Sequence, residues 1–464
     1  MRRPPQLSVV RLEWEFNALI AKHPRFQLDV SCWPSQFPDQ LMSDRRLRLL
    51  SLGVAFPPGM GGQLFVTAHL SETRLTQALS RLAEVSTVGL LPGEVWKKRL
   101  EPKDDSDGLE HELVLWDRDP ALWHRWISWR KLRRLYLEKT QREGMPDVVL
   151  VRNLQHVFNH FVKWLHRQPR RPLTVLLLGD SGGLGEKIPR FRRLRYKFKP
   201  MQMLEDRAVQ LYDACLVSGL KSKRFFESRG VPWIWVPCAY NDNYDPPPPD
   251  ANARGPIRFG YFGDLSEQSG IRQLVNAFLK ADLPGTLHVC GHGPLSEELK
   301  QLSERHPNFH FDGFLPKQSD CLPWAQKVDV LINVRPPWWG KDNSAPSKVF
   351  EYGVAGKAIL STRTAGMDEI LGKEGIYIET DHFEDSVYRK LREVSAMDRA
   401  ELRRRAAIIR DRIVRNYSWD KQSRLILEFL NRLVDRQSSP TVSGDTPASL
   451  TRRSAAAFRA PAEK

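Results

Sequence analysis

The chain has 464 residues, 41% of them hydrophobic and 27% charged. That composition excludes a disordered or fibrous polypeptide and leaves room for about three domains at ~150 residues each. Lysine and arginine total 71 against 55 acidic residues, a net charge of +16, which points to a polyanionic partner and says nothing about fold. The excess is uneven: residues 1–250 carry 39 basic and 28 acidic side chains, residues 251–464 carry 32 and 27. Arg11, Glu13 and Glu15 interrupt the N-terminal apolar run, so no signal-peptide core is expected, and no apolar stretch approaches the ~20 residues of a membrane span. The cysteines (Cys32, Cys215, Cys238, Cys290, Cys321) show no CxxC or metal-ligand spacing. They read as reduced and structural, in a cytoplasmic protein.

In chain order, residues 1–45 read as an extension. LRLLSLGVAF (47–56) is an apolar run suited to a strand buried on both faces, ending in the turn-rich PPGMGG. Residues 64–82 carry a helical period, although 64–68 alone also fit a strand ending at His69. Strands follow at 85–93, 145–153, 173–180, 214–218 and 234–237, with helices over 122–139, 156–166, 203–212 and 221–229; residues 101–111 read as an acidic loop. NDNYDPPPPDANARGP (241–256) is a stiff linker. Beyond it, strands at 257–263, 285–291, 309–314, 328–334, 357–362 and 376–380 alternate with helices at 270–280, 295–305, 347–353, 367–371 and 385–394. Two helices close the fold, 398–416 and 419–434, and 437–464 reads as a disordered tail. Such alternation means parallel sheets covered on both faces, so the expectation is a two-lobed α/β protein with ligands beyond the carboxyl ends of the strands.

The chemistry-bearing residues cluster in the second half. Gly263, Gly291 and Gly293 follow strands, where glycine lets backbone approach a ligand or merely makes the connection. In SAPSKVFEYGVAGKAILST (344–362), Pro346–Ser347 opens a helix, the place for an N1 proline or a hydroxyl cap. Lys348 then lies in the first turn, where a cation opposes the helix dipole unless an anion sits there. Glu351, three residues on, shares its face, so the two suit either a diphosphate with a ribose or an exposed local ion pair.

Together, GYFGDLSEQSGIRQLVNAF, LHVCGHGPLSEELKQL, FHFDGFLP, VDVLINV, PSKVFEYGVAGKAILST and TAGMDEIL resemble, in order and spacing, the GT-B retaining glycosyltransferases. The likeness is greatest to family 4, the "glycosyl transferases group 1" set. It covers roughly 255–435, with a looser likeness of LRLLSLGVAFPPGMGG, PDVVLVRN and YDACLVSGLKSKRF to the family's first lobe. The resemblance implies two Rossmann-like parallel-sheet lobes facing across a cleft: residues 46–240 on the acceptor side, 257–418 on the donor side, and a helix at 419–436 crossing back. It further implies a nucleotide-sugar donor, UDP- or GDP-linked, bound without metal, and a glycan or lipid-linked acceptor. Glu351 would hold the ribose. Lys348, Ser347 and the helix N-terminus would face the diphosphate, with Gly61–Gly62 close to the donor. Asp180 stands where the family places a polar residue near the reacting sugar; a turn aspartate is the simpler reading.

Three departures stand out. Asp264 and Ser269 occupy positions that in the family hold Arg and Lys, the usual clamp on the donor phosphates, and Asn343 replaces the first of two glutamates. Arg335, Lys341 and Lys348 are the cations left to supply that charge. Two DxD patterns, Asp105–Asp107 and Asp117–Asp119, read as solvated loop rather than a metal site. In the first lobe, 187–199 holds seven basic residues and no acid. Residues 122–137 carry Trp123, Trp126 and Trp129 beside several arginines. Both suit an anionic membrane surface and peripheral attachment to its inner face, and the Trp stripe equally suits the buried side of a helix. Nucleic acid has charge alone in its favour.

Overall fold

The computed structural model describes residues 46–54, 66–91, 111–116, 122–179, 208–220, 223–240, 254–315, 320–337 and 345–438. The expectations for 1–45, for the loop holding Gly61 and Gly62, for Asp180, for 187–199 and for Asn343 lie outside them.

The first lobe is built on seven strands: β1 Arg48–Val54, β2 Glu84–Leu91, β3 Leu113–Trp116, β4 Val148–Arg152, β5 Leu173–Leu178, β6 Ala214–Val217 and β7 Trp233–Trp235. All pair in parallel, in the order β3-β2-β1-β4-β5-β6-β7. Every residue of β4 is buried, as a central parallel strand with helices on both faces requires. The helices are α1 Val66–Leu82, α2 Leu122–Glu143, α3 His156–Leu165 and α4 Lys223–Arg229. Residues 66–68 are thus helical rather than strand. β3, only four residues beside an acidic segment, is an edge strand that the sequence pattern does not announce.

The second lobe repeats the pattern with β8 Arg258–Asp264, β9 Thr286–His292, β10 Phe309–Gly313, β11 Val330–Asn333, β12 Ala358–Thr362 and β13 Ile376–Ile378. Their order is β10-β9-β8-β11-β12-β13. Between them run α5 Ile271–Ala281, α6 Ser296–Arg305, the short α7 Cys321–Ala325, α8 Ser347–Val354, α9 Met367–Leu371 and α10 Phe383–Ser395. Then come α11 Arg399–Asn416 and α12 Trp419–Ser438. Local chemistry sets several of these boundaries. Asp398 accepts the backbone N–H of Ala400 at 3.2 Å as the N-cap of α11. Gly270 precedes α5 at φ +77°, where a Cβ would also lie 2.8 Å from Pro336 Cδ.

In both sheets the strand order reverses beside the first strand of the lobe, between β1 and β4 and between β8 and β11. These are the topological switch points, where α/β sheets open a crevice at the carboxyl ends of the strands. The two lobes are Rossmann-like and face across a cleft.

They are joined at one end by the chain itself. Tyr240 bridges Ser418, with the Tyr240 N–H donating to the Tyr417 carbonyl at 3.0 Å and the Trp419 N–H to the Tyr240 carbonyl at 3.3 Å. The Trp235 and Tyr417 rings meet edge to face, centroids 6.2 Å apart. Past this crossing α12 belongs to the first lobe's core: Trp419, Ile426, Leu427, Leu430 and Val434 pack with Leu75, Ala78 and Leu79 of α1. Arg81 pairs with Asp420 at 2.6 Å. Among the described residues, no helix is long and apolar enough to cross a membrane.

Candidate functional site

The second lobe's switch point brings together four segments that are far apart in sequence. β8 ends in Gly263 and Asp264, β9 in Gly291 and His292, and the two strands are in register, Gly263 opposite Gly291 and Asp264 opposite His292. Arg335 follows β11, its backbone N–H donating to Thr362 Oγ1 at 2.9 Å. α8 starts beside them.

The glycines answer a backbone need. A Cβ on Gly291, at φ +154°, would lie 2.0 Å from the Gly263 carbonyl oxygen; one on Gly293 would lie 2.5 Å from the Leu265 carbonyl oxygen. Both keep the β8 and β9 turns close together, which is the connecting role of the two that glycine can play there. At Gly263, φ +145°, a Cβ would lie beside Lys348, 3.6 Å from its Cδ and 3.9 Å from its Nζ. That is ordinary packing distance, so the need for glycine at 263 comes from its backbone conformation.

Pro346 is the N-cap residue of α8, not N1, and Ser347 is the first helical residue; no side chain caps the helix. The N-terminal N–H groups there form a positive end suited to an anion. Lys348 stands in that first turn with Nζ 4.1 Å from the centroid of the Tyr261 ring. Burial pulls its pKa down to about 7; the neighbouring Arg335 lowers it further and Asp264 opposes both. The Tyr261 hydroxyl donates to the Asp264 carbonyl at 2.7 Å, and Ser266 Oγ donates to Asp264 Oδ2. Ser269 is buried, with its hydroxyl on the Ser266 carbonyl at 2.7 Å, so it braces this turn.

Glu351 is one turn further along α8. Burial pushes its pKa up to about 7, and the Arg74 guanidinium of α1, in the first lobe, pulls the other way. The charges acting on Lys348 are those of Arg335 and Asp264, and the charge acting on Glu351 is that of Arg74. Behind them Tyr352 anchors the helix: its hydroxyl donates to the Phe262 carbonyl at 3.0 Å and accepts the Phe262 N–H at 3.2 Å. A register set at Tyr352 places Lys348 and Glu351 toward the end of β8.

Of the residues that sequence reasoning named, Gly263, Gly291, Gly293, Arg335, Ser347 and Lys348 lie at this switch point, and Glu351 is one turn further along α8. That reasoning missed Tyr261, the seat of the lysine, and Arg74 of the first lobe, whose charge acts on Glu351. Nothing in a buried strand tyrosine or a helical arginine separates them from ordinary core and surface residues. Elsewhere, Trp129 of α2 packs against the first lobe's core, and Arg133 lies 5.0 Å from the Trp164 centroid and 5.9 Å from that of Trp129. At position 129 the Trp stripe is a packing face. Among the described residues, no group of three or more His, Cys, Asp or Glu side chains is placed to hold a metal ion.

Two facing Rossmann-like lobes with a basic site at the switch point of the second sheet define the GT-B architecture. Solved structures agree. Sucrose-phosphate synthase from Thermosynechococcus elongatus superposes with a TM-score of 0.61 at 14% identity, over 84% of this chain and 100% of that one. The N-terminal domain of Candida albicans trehalose-6-phosphate phosphatase gives 0.59 at 13%, over 86% and 99%. Anabaena HepE in complex with UDP gives 0.55 at 15%, over 83% and 100%. By sequence, residues 256–396, the greater part of the second lobe, match the family described as "Glycosyl transferases group 1". No curated protein matches the chain by sequence.

Proposed function

We propose that this protein is a retaining glycosyltransferase. It moves a sugar, of the hexosyl type, from a UDP- or GDP-linked donor to the hydroxyl of a glycan or lipid-linked acceptor, without a metal ion. One observation carries the reading: Lys348, Arg335 and the uncapped N-terminus of α8 converge at the end of β8, with Glu351 a turn further along the same helix. That is one anion site with a hydrogen-bonding carboxyl group beside it, the pattern a nucleotide diphosphate needs. The family match over 256–396 and the UDP held by the similarly folded HepE support it.

In this reading Lys348 and Arg335 take up the charge that develops on the leaving diphosphate, and Glu351 accepts from the ribose hydroxyls. The acceptor oxygen bonds to the anomeric carbon on the face from which the diphosphate departs. The acceptor's proton passes to the departing phosphate oxygen. The acceptor sits against the first lobe; Asp180 is assigned to the reacting sugar, and Gly61–Gly62, Asn343 and Ser347 to the donor. The basic tract 187–199, with the helix at 122–137, docks the protein on an anionic membrane surface at the cytoplasmic face.

A panel of UDP-, GDP-, dTDP- and ADP-sugars, read by thermal shift and product formation, tests this. The expected result is stabilisation by one nucleotide class and its loss in Glu351→Ala. No shift with any nucleotide overturns the reading. A second reading, a non-catalytic relative that binds through the same scaffold, is favoured by Asp264 standing beside Lys348. Wild-type cellular function of a Lys348→Ala, Glu351→Ala double variant would select it.

A further inference from the structure

We infer that Asp264 sets how weakly this site holds its donor, its carboxylate opposing the same diphosphate that Lys348 and Arg335 attract. The inference rests on the donor reading above and adds to it a residue that acts against binding.

Three observations place the carboxylate. Asp264 is the last residue of β8, in register with His292 at the end of β9, so it lies at the carboxyl end of the sheet, where its charge acts on the Lys348 ammonium. Its backbone carbonyl accepts the hydroxyl of Tyr261, whose ring seats the Lys348 ammonium, so Asp264, Tyr261 and Lys348 form one connected unit. Ser266 Oγ donates to Oδ2, which orients the carboxylate, and the residue is exposed.

The charge balance follows. Asp264 adds one negative charge beside Lys348 and Arg335, against a ligand that itself carries two or more. A diphosphate drawn to Lys348 and the α8 N-terminus meets like charge from the β8 side. Binding is weakened for donor and product alike, so the nucleotide diphosphate product leaves readily. Ser269 does not restore the balance, because its hydroxyl is spent on the Ser266 carbonyl.

Calorimetric titration of wild type, Asp264→Asn and Asp264→Ala with UDP, GDP, inorganic pyrophosphate and uridine, at one ionic strength, tests the inference. Asparagine keeps the shape and the Ser266 contact, and alanine removes both; equal thermal midpoints show that each is folded. The expected result is diphosphate binding about tenfold tighter in both variants, the effect of removing one unit charge from a partly solvated site. Uridine affinity should not change. Diphosphate affinity within twofold of wild type, or weaker, overturns the inference. Pyrophosphate that tightens while no nucleotide binds any form supports the role of Asp264 and overturns the donor reading instead.

Discussion

The ammonium of Lys348 lies 4.1 Å from the centre of the Tyr261 ring, on a helix whose own dipole disfavours it. The ring face seats a charge that burial and Arg335 both oppose. Such an arrangement is poor for stability and good for meeting an anion.

Lys348→Met should therefore separate binding from folding. The methionine side chain fills the same space without a charge to desolvate. Thermal unfolding at pH 7 should show no loss of midpoint, while affinity for a nucleotide diphosphate falls at least about tenfold, the worth of roughly 1.4 kcal/mol.

The two shifted groups on α8 give opposite pH slopes. Glu351 has its pKa raised from 4.5 to about 7, so the native state holds its proton longer and stability falls as pH rises through that window. Lys348 has its pKa lowered from 10.5 to about 7, so the unfolded state binds more protons above 7 and stability rises with pH up to 10.5. Their joint contribution is lowest near pH 7. Denaturant unfolding across pH 4.5–10.5 should lose its falling limb in Glu351→Gln and its rising limb in Lys348→Met.

The same lysine predicts proton uptake on binding. A diphosphate beside Lys348 favours its charged form and lifts its pKa. At pH 8, titrations with UDP in buffers of different ionisation enthalpy should show net uptake of protons that vanishes in Lys348→Met.

Gly291→Ala should be severe and Gly313→Ala mild. At 291 the new Cβ would meet the Gly263 carbonyl at 2.0 Å, whereas at 313, φ +78°, it meets nothing within 4 Å. The second change costs about 1–2 kcal/mol for its left-handed backbone alone. The first must push β8 from β9, so it should lower the unfolding midpoint further and also weaken nucleotide binding.

Leu430 is fully buried on α12 against α1. Leu430→Ala should cost about 2–5 kcal/mol and destabilise the first lobe, although the residue follows the whole of the second in sequence. Hydrogen exchange in β1, β4 and β5 should rise more than in β8 to β12.

Strongly patterned segments are legible in the amino-acid sequence itself. The apolar runs at β1, β4, β5 and β8 to β12, and the helices between them, lie within a few residues of their expected places, because strands buried on both faces need unbroken hydrophobic sequence. β3 and α7 are not legible in this way. Four or five residues carry too little periodicity, and β3 forms because β2 offers it a partner.

The candidate site divides in the same way. SAPSKVFEY, with a lysine placed against its helix dipole, draws attention to Lys348 and Glu351, while spacing alone leaves an exposed local pair equally open and the family resemblance carries their donor assignment. What Lys348 rests on, which cation shares its site, and which arginine reaches Glu351 are decided by the order of the strands. β8 and β11 become neighbours only when the sheet winds outward from its first strand, and Arg74 of α1 acts on Glu351 of α8 only once the two lobes face each other. Periodicity is a local property and survives in the sequence. The seat of Lys348 on Tyr261, and the charges of Arg335 and Arg74 that act on Lys348 and Glu351, arise from long-range packing and exist only in the folded chain.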